Sequence, residues 1–291
     1  MVALHKIGVC PGDDVNLSFR LFGRNGGTPL LFVHGLSYFS YDWVDIGSRL
    51  AGDRMGCAVD MRGFGDSSSS AARNYKIPAM AADLQAVLDH LAWPRAIVFG
   101  HSMGGRSAAY LANSRPDRVA GLVLVDYSPE NAPEGSKRVA NTVANTPDVF
   151  ASVDEAMHYF GADPHSPQNA GKRERYTAYL RPVPGGFAIK RDAYFREQFR
   201  KQLATGERPA MGVDMWQILK DLQVPTLVVR GTHSDMFAAE TAAKVKAANA
   251  RITLLQVKAG HNIAGENPDG FFDAVRPFID SIDGASHDKA D

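Results

Sequence analysis

The sequence predicts an α/β fold, a mainly parallel, doubly wound sheet with an inserted helical cap. Three observations carry that expectation. Short aliphatic and β-branched runs recur along the chain, stretches with apolar residues at helical spacing separate them, and the alternation stops between residues 129 and 212 before resuming. The implied layout is a first core segment at 1–128, the cap at 129–212, and a second core segment at 213–291.

The bulk composition is compatible with this and excludes several classes of function. At 291 residues and 45% hydrophobic content, the chain can bury the core of one large domain, with or without an insertion. Thirty-two basic residues balance 32 acidic ones, so no polycationic face or tail offers itself to nucleic acid or anionic lipid. Cys10 and Cys57 are too few for a disulfide framework and lack metal-ligand spacing, so they read as reduced structural thiols of a cytoplasmic protein. The N-terminus has no leader pattern, and no apolar run is long enough to span a bilayer. The expected partner is therefore a small-molecule substrate, with no nucleic acid and no membrane.

The elements follow in order. Residues 4–9 and 15–22 flank the turn Pro11-Gly12-Asp13-Asp14 and predict an antiparallel hairpin. Residues 30–33, 57–60, 96–99, 122–125, 226–229 and 252–257 are short apolar runs of the kind found in strands covered on both faces. Residues 79–91, 103–113, 238–248 and 270–282 carry apolar residues at helical spacing and separate those strands. The polar last residues are expected to fray. The stretch 129–212 shows no strong strand signal and is too long for a plain loop, so it reads as a helical cap. Its aromatics, among them Phe150, Tyr159, Phe160, Tyr176, Tyr179, Phe187, Tyr194 and Phe195, either face a pocket or fill the cap's own core.

Chemistry enters at Gly100-His101-Ser102-Met103-Gly104-Gly105. This G-x-S-x-G run lies between an apolar strand and a helix, the context of a nucleophile elbow. So sharp a turn strains the serine backbone and tolerates only small neighbours, which Gly100 and Gly104 provide. Ser102 then projects its hydroxyl from a helix N-terminus, where the N–H of Met103 can face a developing oxyanion. The second oxyanion donor is expected from Val33-His34-Gly35-Leu36, with Gly35 turning the chain so that the N–H of Leu36 points inward. His34 is expected to bond local backbone and hold that loop.

A general base follows at Ala259-Gly260-His261-Asn262, just beyond the last strand and hence at the same sheet edge as Ser102. His5, His90, His158, His165 and His287 fall in surface-like or terminal contexts. His101 adjoins the nucleophile, but its side chain is expected to diverge from it. Two carboxylates compete to orient His261. Asp235, in Arg230-Gly231-Thr232-His233-Ser234-Asp235, keeps the chain order serine, acid, histidine and is favoured on that ground. Asp126 ends the preceding strand and is the alternative acid. No metal or organic cofactor is called for.

On these residues the chain resembles the α/β-hydrolase superfamily from about residue 15 to 282. The shared marks are His34-Gly35, Asp60-Met61-Arg62-Gly63-Phe64-Gly65-Asp66-Ser67, the elbow, Gly231 to Asp235, and Gly260-His261. The resemblance implies a serine hydrolase with a Ser-His-Asp triad. Epoxide hydrolases and dehalogenases are set aside, because they place an aspartate where this chain has Ser102. The arrangement is also similar to a bacterial subgroup that includes an amide hydrolase of 2-(acetamidomethylene)succinate, in which the acid comes from the position of Asp126. One residue more than usual separates Gly231 from Asp235, which bears on the same choice.

The substrate expected is a small ester or lactone, cleaved through an acyl-enzyme on Ser102. The alternatives are amide or C–C bond hydrolysis of a carboxylated small molecule, or a cofactor-free haloperoxidase-like or oxygenase activity on the same frame. Basic residues crowd positions 172–201, where they either greet a carboxylate or form a solvated face. Arg106, one turn into the helix after the elbow, reads as an ion-pair or packing residue.

Overall fold

The computed structural model describes residues 5–130, 132–207 and 212–287. Leu4 of the expected first strand and the polar tail from residue 288 lie outside the described residues. Strands β1 (Lys6–Pro11) and β2 (Asn16–Gly23) form the N-terminal hairpin; β3 (Leu30–Val33), β4 (Met55–Val59), β5 (Ala96–His101) and β6 (Val119–Val125) follow. β7 (Leu180–Val183) and β8 (Gly186–Ile189) pair only with each other, and β9 (Thr226–Gly231) and β10 (Ile252–Val257) complete the main sheet. That sheet has eight strands in the order β1-β2-β4-β3-β5-β6-β9-β10. β1 and β2, and β2 and β4, run antiparallel, whereas every pairing from β4 to β10 is parallel.

Every residue of β3, β5, β6 and β9 is buried, which is why these strands read as unbroken apolar runs rather than alternating ones. One face is covered by α1 (Val44–Ala51) and α11 (Pro268–His287), whose Phe271, Val275 and Ile279 recur every fourth residue and pack with Phe32, Phe99 and Trp43. The other is covered by α2 (Ile77–His90), α3 (Met103–Ser114), α8 (Met215–Asp221) and α9 (Ala239–Ala248), packed on Leu31, Val98, Leu122 and Val228. Helix α1 escaped the sequence reading because it has only two turns and a central Gly47. There a Cβ would come within 2.7 Å of the Phe22 ring.

Between β6 and β9 the chain leaves the sheet. It builds α4 (Pro133–Asn145), α5 (Val153–Tyr159), α6 (Ala170–Tyr179), the β7–β8 hairpin and α7 (Ala193–Thr205) before α8 returns to the core. The hairpin corrects the expectation that this stretch holds no strand. Its turn is Pro184-Gly185-Gly186, with positive φ at both glycines, so residues that look like loop chemistry are hairpin chemistry. Phe150, Met157, Tyr176 and Tyr179 fill a separate cap core with Phe39, whereas Phe195 packs 4.5 Å from Phe64 in the main core. Among the described residues no helix is long and apolar enough to cross a membrane, and Cys10 and Cys57 are buried free thiols.

The Asp60-to-Ser67 motif joins cap to core. Asp60 accepts hydrogen bonds from the N–H groups of Ser40 (2.7 Å) and Asp66 (2.9 Å), which shapes the turn after β4. The Gly65 N–H donates to the Lys190 carbonyl and the Asp192 N–H to that of Gly63, so the cap is laced onto this turn by backbone. Arg62, 1% exposed, makes a two-pronged pair with Asp83 (2.6 and 2.8 Å) and also reaches Asp14 and the Asn74 carbonyl. Removing one partner strands a buried charge. Arg62→Met is therefore expected to lower unfolding free energy by about 3–5 kcal/mol, and Arg62→Met with Asp83→Leu should recover much of it. Urea denaturation followed by circular dichroism checks both; a loss in the double variant equal to the sum of the two single losses contradicts this account.

Candidate active site

The turn from β5 into α3 puts Ser102 at φ 52°, ψ −114°, a conformation costly for any residue with a Cβ. Its neighbours explain how it persists. A Cβ on Gly100 would sit 2.6 Å from the Gly105 Cα, and one on Gly104 would sit 2.5 Å from the His34 carbonyl oxygen. The Ser102 N–H donates to the Val125 carbonyl at 3.1 Å, locking the elbow to the end of β6.

One residue beyond β6, Asp126 also has a positive φ, 44°, and is 1% exposed. Its carboxylate accepts from the Gly231 N–H (2.9 Å), from the Ser234 hydroxyl, and from His261 Nδ1 (2.6 Å). With Nδ1–H committed to the acid, Nε2 is the basic nitrogen of the neutral ring. Ser102 and His261 line one small cavity of about 20 Å³, together with Arg106, Asp126, Ser128, Glu130 and Met236.

Asp235, the acid favoured on chain order, is not the residue against His261. Its carboxylate is clamped by Arg138 of α4 through two bonds of 2.6 and 2.7 Å, and those bonds hold its pKa below the usual carboxylate value. The cause is the extra residue after Gly231. It brings Ser234, not Asp235, to the imidazole side, where the hydroxyl becomes a further donor to Asp126. The structure thus reverses the order of the two candidates. Ser234 was missed because no sequence signal separates it from an ordinary turn serine.

His101 contacts the loop that carries His261. Its Nε2 donates to the His261 carbonyl at 3.0 Å, and the two ring centroids lie 4.8 Å apart. Burial, reinforced by the neighbouring His261, holds the His101 pKa well below the usual histidine value, so the ring stays neutral. Gly231 allows the acid and base loops to touch, since a Cβ there would fall 2.1 Å from the Gly260 carbonyl oxygen.

His34 holds the loop after β3. Its Nδ1–H donates to the Gly35 carbonyl (2.7 Å) and its Nε2 accepts from the Met61 N–H (3.0 Å). Among the described residues, no backbone acceptor engages the N–H of Leu36 or of Met103, and both residues sit beside the elbow. Much of the basic crowd in the cap is spent on ion pairs: Arg173 with Asp154, Arg175 with Asp42, Lys190 with Asp66 and Arg196 with Asp148. Arg106 lines the cavity beside Ser102, where burial draws its pKa down.

A family model described as the alpha/beta hydrolase fold matches residues 28–268. The chain is 30% identical over 246 residues to the 3-hydroxybutyrate-oligomer hydrolase of Cupriavidus necator, covering 80% of this chain and 82% of that protein. It is 26% identical to the 2-(acetamidomethylene)succinate hydrolase of Mesorhizobium japonicum, covering 92% and 94% respectively. A crystal structure of E-2-(acetamidomethylene)succinate hydrolase superposes with a TM-score of 0.82 at 26% identity, over 95% of this chain and all of that one.

The geometry separates the two carboxylates by experiment. Asp126→Asn is expected to lower kcat for p-nitrophenyl acetate by about 10³–10⁴-fold, because the amide oxygen stays on the Gly231 N–H and the NH2 group then faces Nδ1, which imposes the wrong tautomer on His261. Asp235→Asn loses only a half-exposed pair with Arg138 and should stay within about threefold of wild type. Equal activity in the two variants would contradict this assignment.

Proposed function

The chain belongs to the α/β-hydrolase family, and within it we propose that it is a serine hydrolase that cleaves a small-molecule ester or lactone through an acyl-enzyme on Ser102. One observation carries this reading. The imidazole of His261, fixed through Nδ1 by a buried carboxylate, shares a cavity with a hydroxyl held on a strained turn. That leaves Nε2 as the nitrogen with a lone pair for the serine proton.

In the proposed reaction, His261 Nε2 removes the Ser102 proton as Oγ attacks the substrate carbonyl. The imidazolium is stabilised across the 2.6 Å contact to Asp126, whose carboxylate is held in place by the Gly231 N–H and the Ser234 hydroxyl. The N–H groups of Leu36 and Met103 receive the oxyanion; each such donor is worth about 3 kcal/mol in comparable sites. The protonated His261 then gives its proton to the leaving alkoxide, and water, deprotonated by the same nitrogen, releases the acid. For a lactone the alkoxide stays attached to the acyl chain.

The ester reading is supported by the likeness to a 3-hydroxybutyrate-oligomer hydrolase over 80% of the chain. A second reading, hydrolysis of an amide, is favoured by the likeness in sequence and shape to 2-(acetamidomethylene)succinate hydrolase. The triad serves either, because both leaving groups collect a proton from the same nitrogen.

Labelling with a fluorophosphonate tests the nucleophile. Wild type should react with one equivalent and Ser102→Ala with none; kcat for p-nitrophenyl acetate should fall by about 10⁵–10⁶-fold in the same variant. Persistent labelling of Ser102→Ala would refute the proposal. The ratio of kcat/KM for a short-chain ester to that for its N-acyl counterpart then separates the two substrate readings, a ratio below one favouring the amide.

A further inference from the structure

The cap contains a second polar cavity that shares no lining residue with the one around Ser102. It measures about 130 Å³ and lies where β8 meets the start of α7 and the end of α4. Its charged walls are Arg181, Arg191 and Arg196 against Asp148 and Asp192, so one positive charge is in excess. The two carboxylates are already engaged. Asp148 pairs with Arg196, while Asp192 accepts from the Tyr75 hydroxyl and from the Tyr194 N–H at the head of α7.

Arg191 is left over. Among the described residues its guanidinium makes neither a hydrogen bond nor an ion pair, although it is half-buried. Burial draws its pKa down, and Arg196 pushes in the same direction. Two further polar groups are stranded nearby. Arg196 Nε is buried with no partner, and so is the hydroxyl of Tyr179. A guanidinium does not shed its proton at neutral pH, so this charge stays and its desolvation goes unmatched by the protein. Elsewhere in the cap the same residue type is matched with care, as at Arg175 and Asp42.

We propose that this cavity binds a small oxyanion, a carboxylate or phosphate group held between Arg191 and Arg196 with Arg181 at its mouth. A planar guanidinium fork suits two oxygens of one anion, and the stranded Arg196 Nε supplies a further donor. The volume admits a ligand of about five to eight heavy atoms. The inference stands apart from the chemistry assigned to Ser102.

Calorimetric titration with inorganic phosphate, and separately with succinate, at constant ionic strength tests it. Wild type should bind one equivalent of at least one of them with an affinity on the order of millimolar. Binding of phosphate alone or of succinate alone identifies which oxyanion the site prefers. Ser102→Ala should retain that affinity within about twofold, Arg191→Met should weaken it by at least about tenfold, and the exposed rim change Arg181→Ala by about threefold. Arg181→Ala carries the test if Arg191→Met does not fold, and circular dichroism decides that. The proposal is overturned by no binding of either anion at about 20 mM, by loss of binding in Ser102→Ala, or by unchanged affinity in folded Arg191→Met or in Arg181→Ala.

Discussion

A single buried carboxylate ties the site together. Asp126 ends β6, yet its partners come from the turn after β9 and the loop after β10, so one side chain fixes three strand ends against one another. A desolvated carboxylate with one donor would be a liability to the fold. With an N–H, a hydroxyl and an imidazole around it, it becomes a joint instead, holding the ring of His261 by one nitrogen. Parallel topology makes this possible, because all these strands finish at the same edge of the sheet.

Close backbone approach is the second constraint. The elbow, the acid loop and the base loop meet at glycines whose substitution would bring a Cβ to within 2.1–2.6 Å of neighbouring backbone at Gly100, Gly104 and Gly231. These are strict contacts, and they let Ser102 keep a strained conformation that a looser turn would relax. His101 and His34 serve the same end from behind. Both are buried, and both spend ring nitrogens on loop backbone rather than on chemistry.

Much of this is legible in the sequence, and the remainder fails for identifiable reasons. The strands from residue 30 to 33 and from 252 to 257 are read to the residue, because short apolar runs bounded by turns have few other interpretations. The elbow, His261 and the supporting role of His34 follow from local pattern. The partner of His261 does not, since choosing between Asp126 and Asp235 depends on how the loop between β9 and α9 folds back in space. Chain order favours the wrong neighbour, while the extra residue in that loop is the one local sign against it. The cap hairpin was hidden by Pro184-Gly185-Gly186, which has the composition of a loop and the geometry of a turn between strands.

Arg175 gives the cap a fixed side. Its guanidinium is braced by Asp42 and the Ser37 carbonyl and lies against the faces of Tyr38, Phe39, Tyr176 and Tyr179. The corresponding tether of α4 is the solvent-accessible pair of Arg138 and Asp235, which water can replace at little cost. The two flanks of the inserted segment are consequently held unequally, α6 by a part-buried pair faced with aromatic rings and α4 by a pair open to solvent.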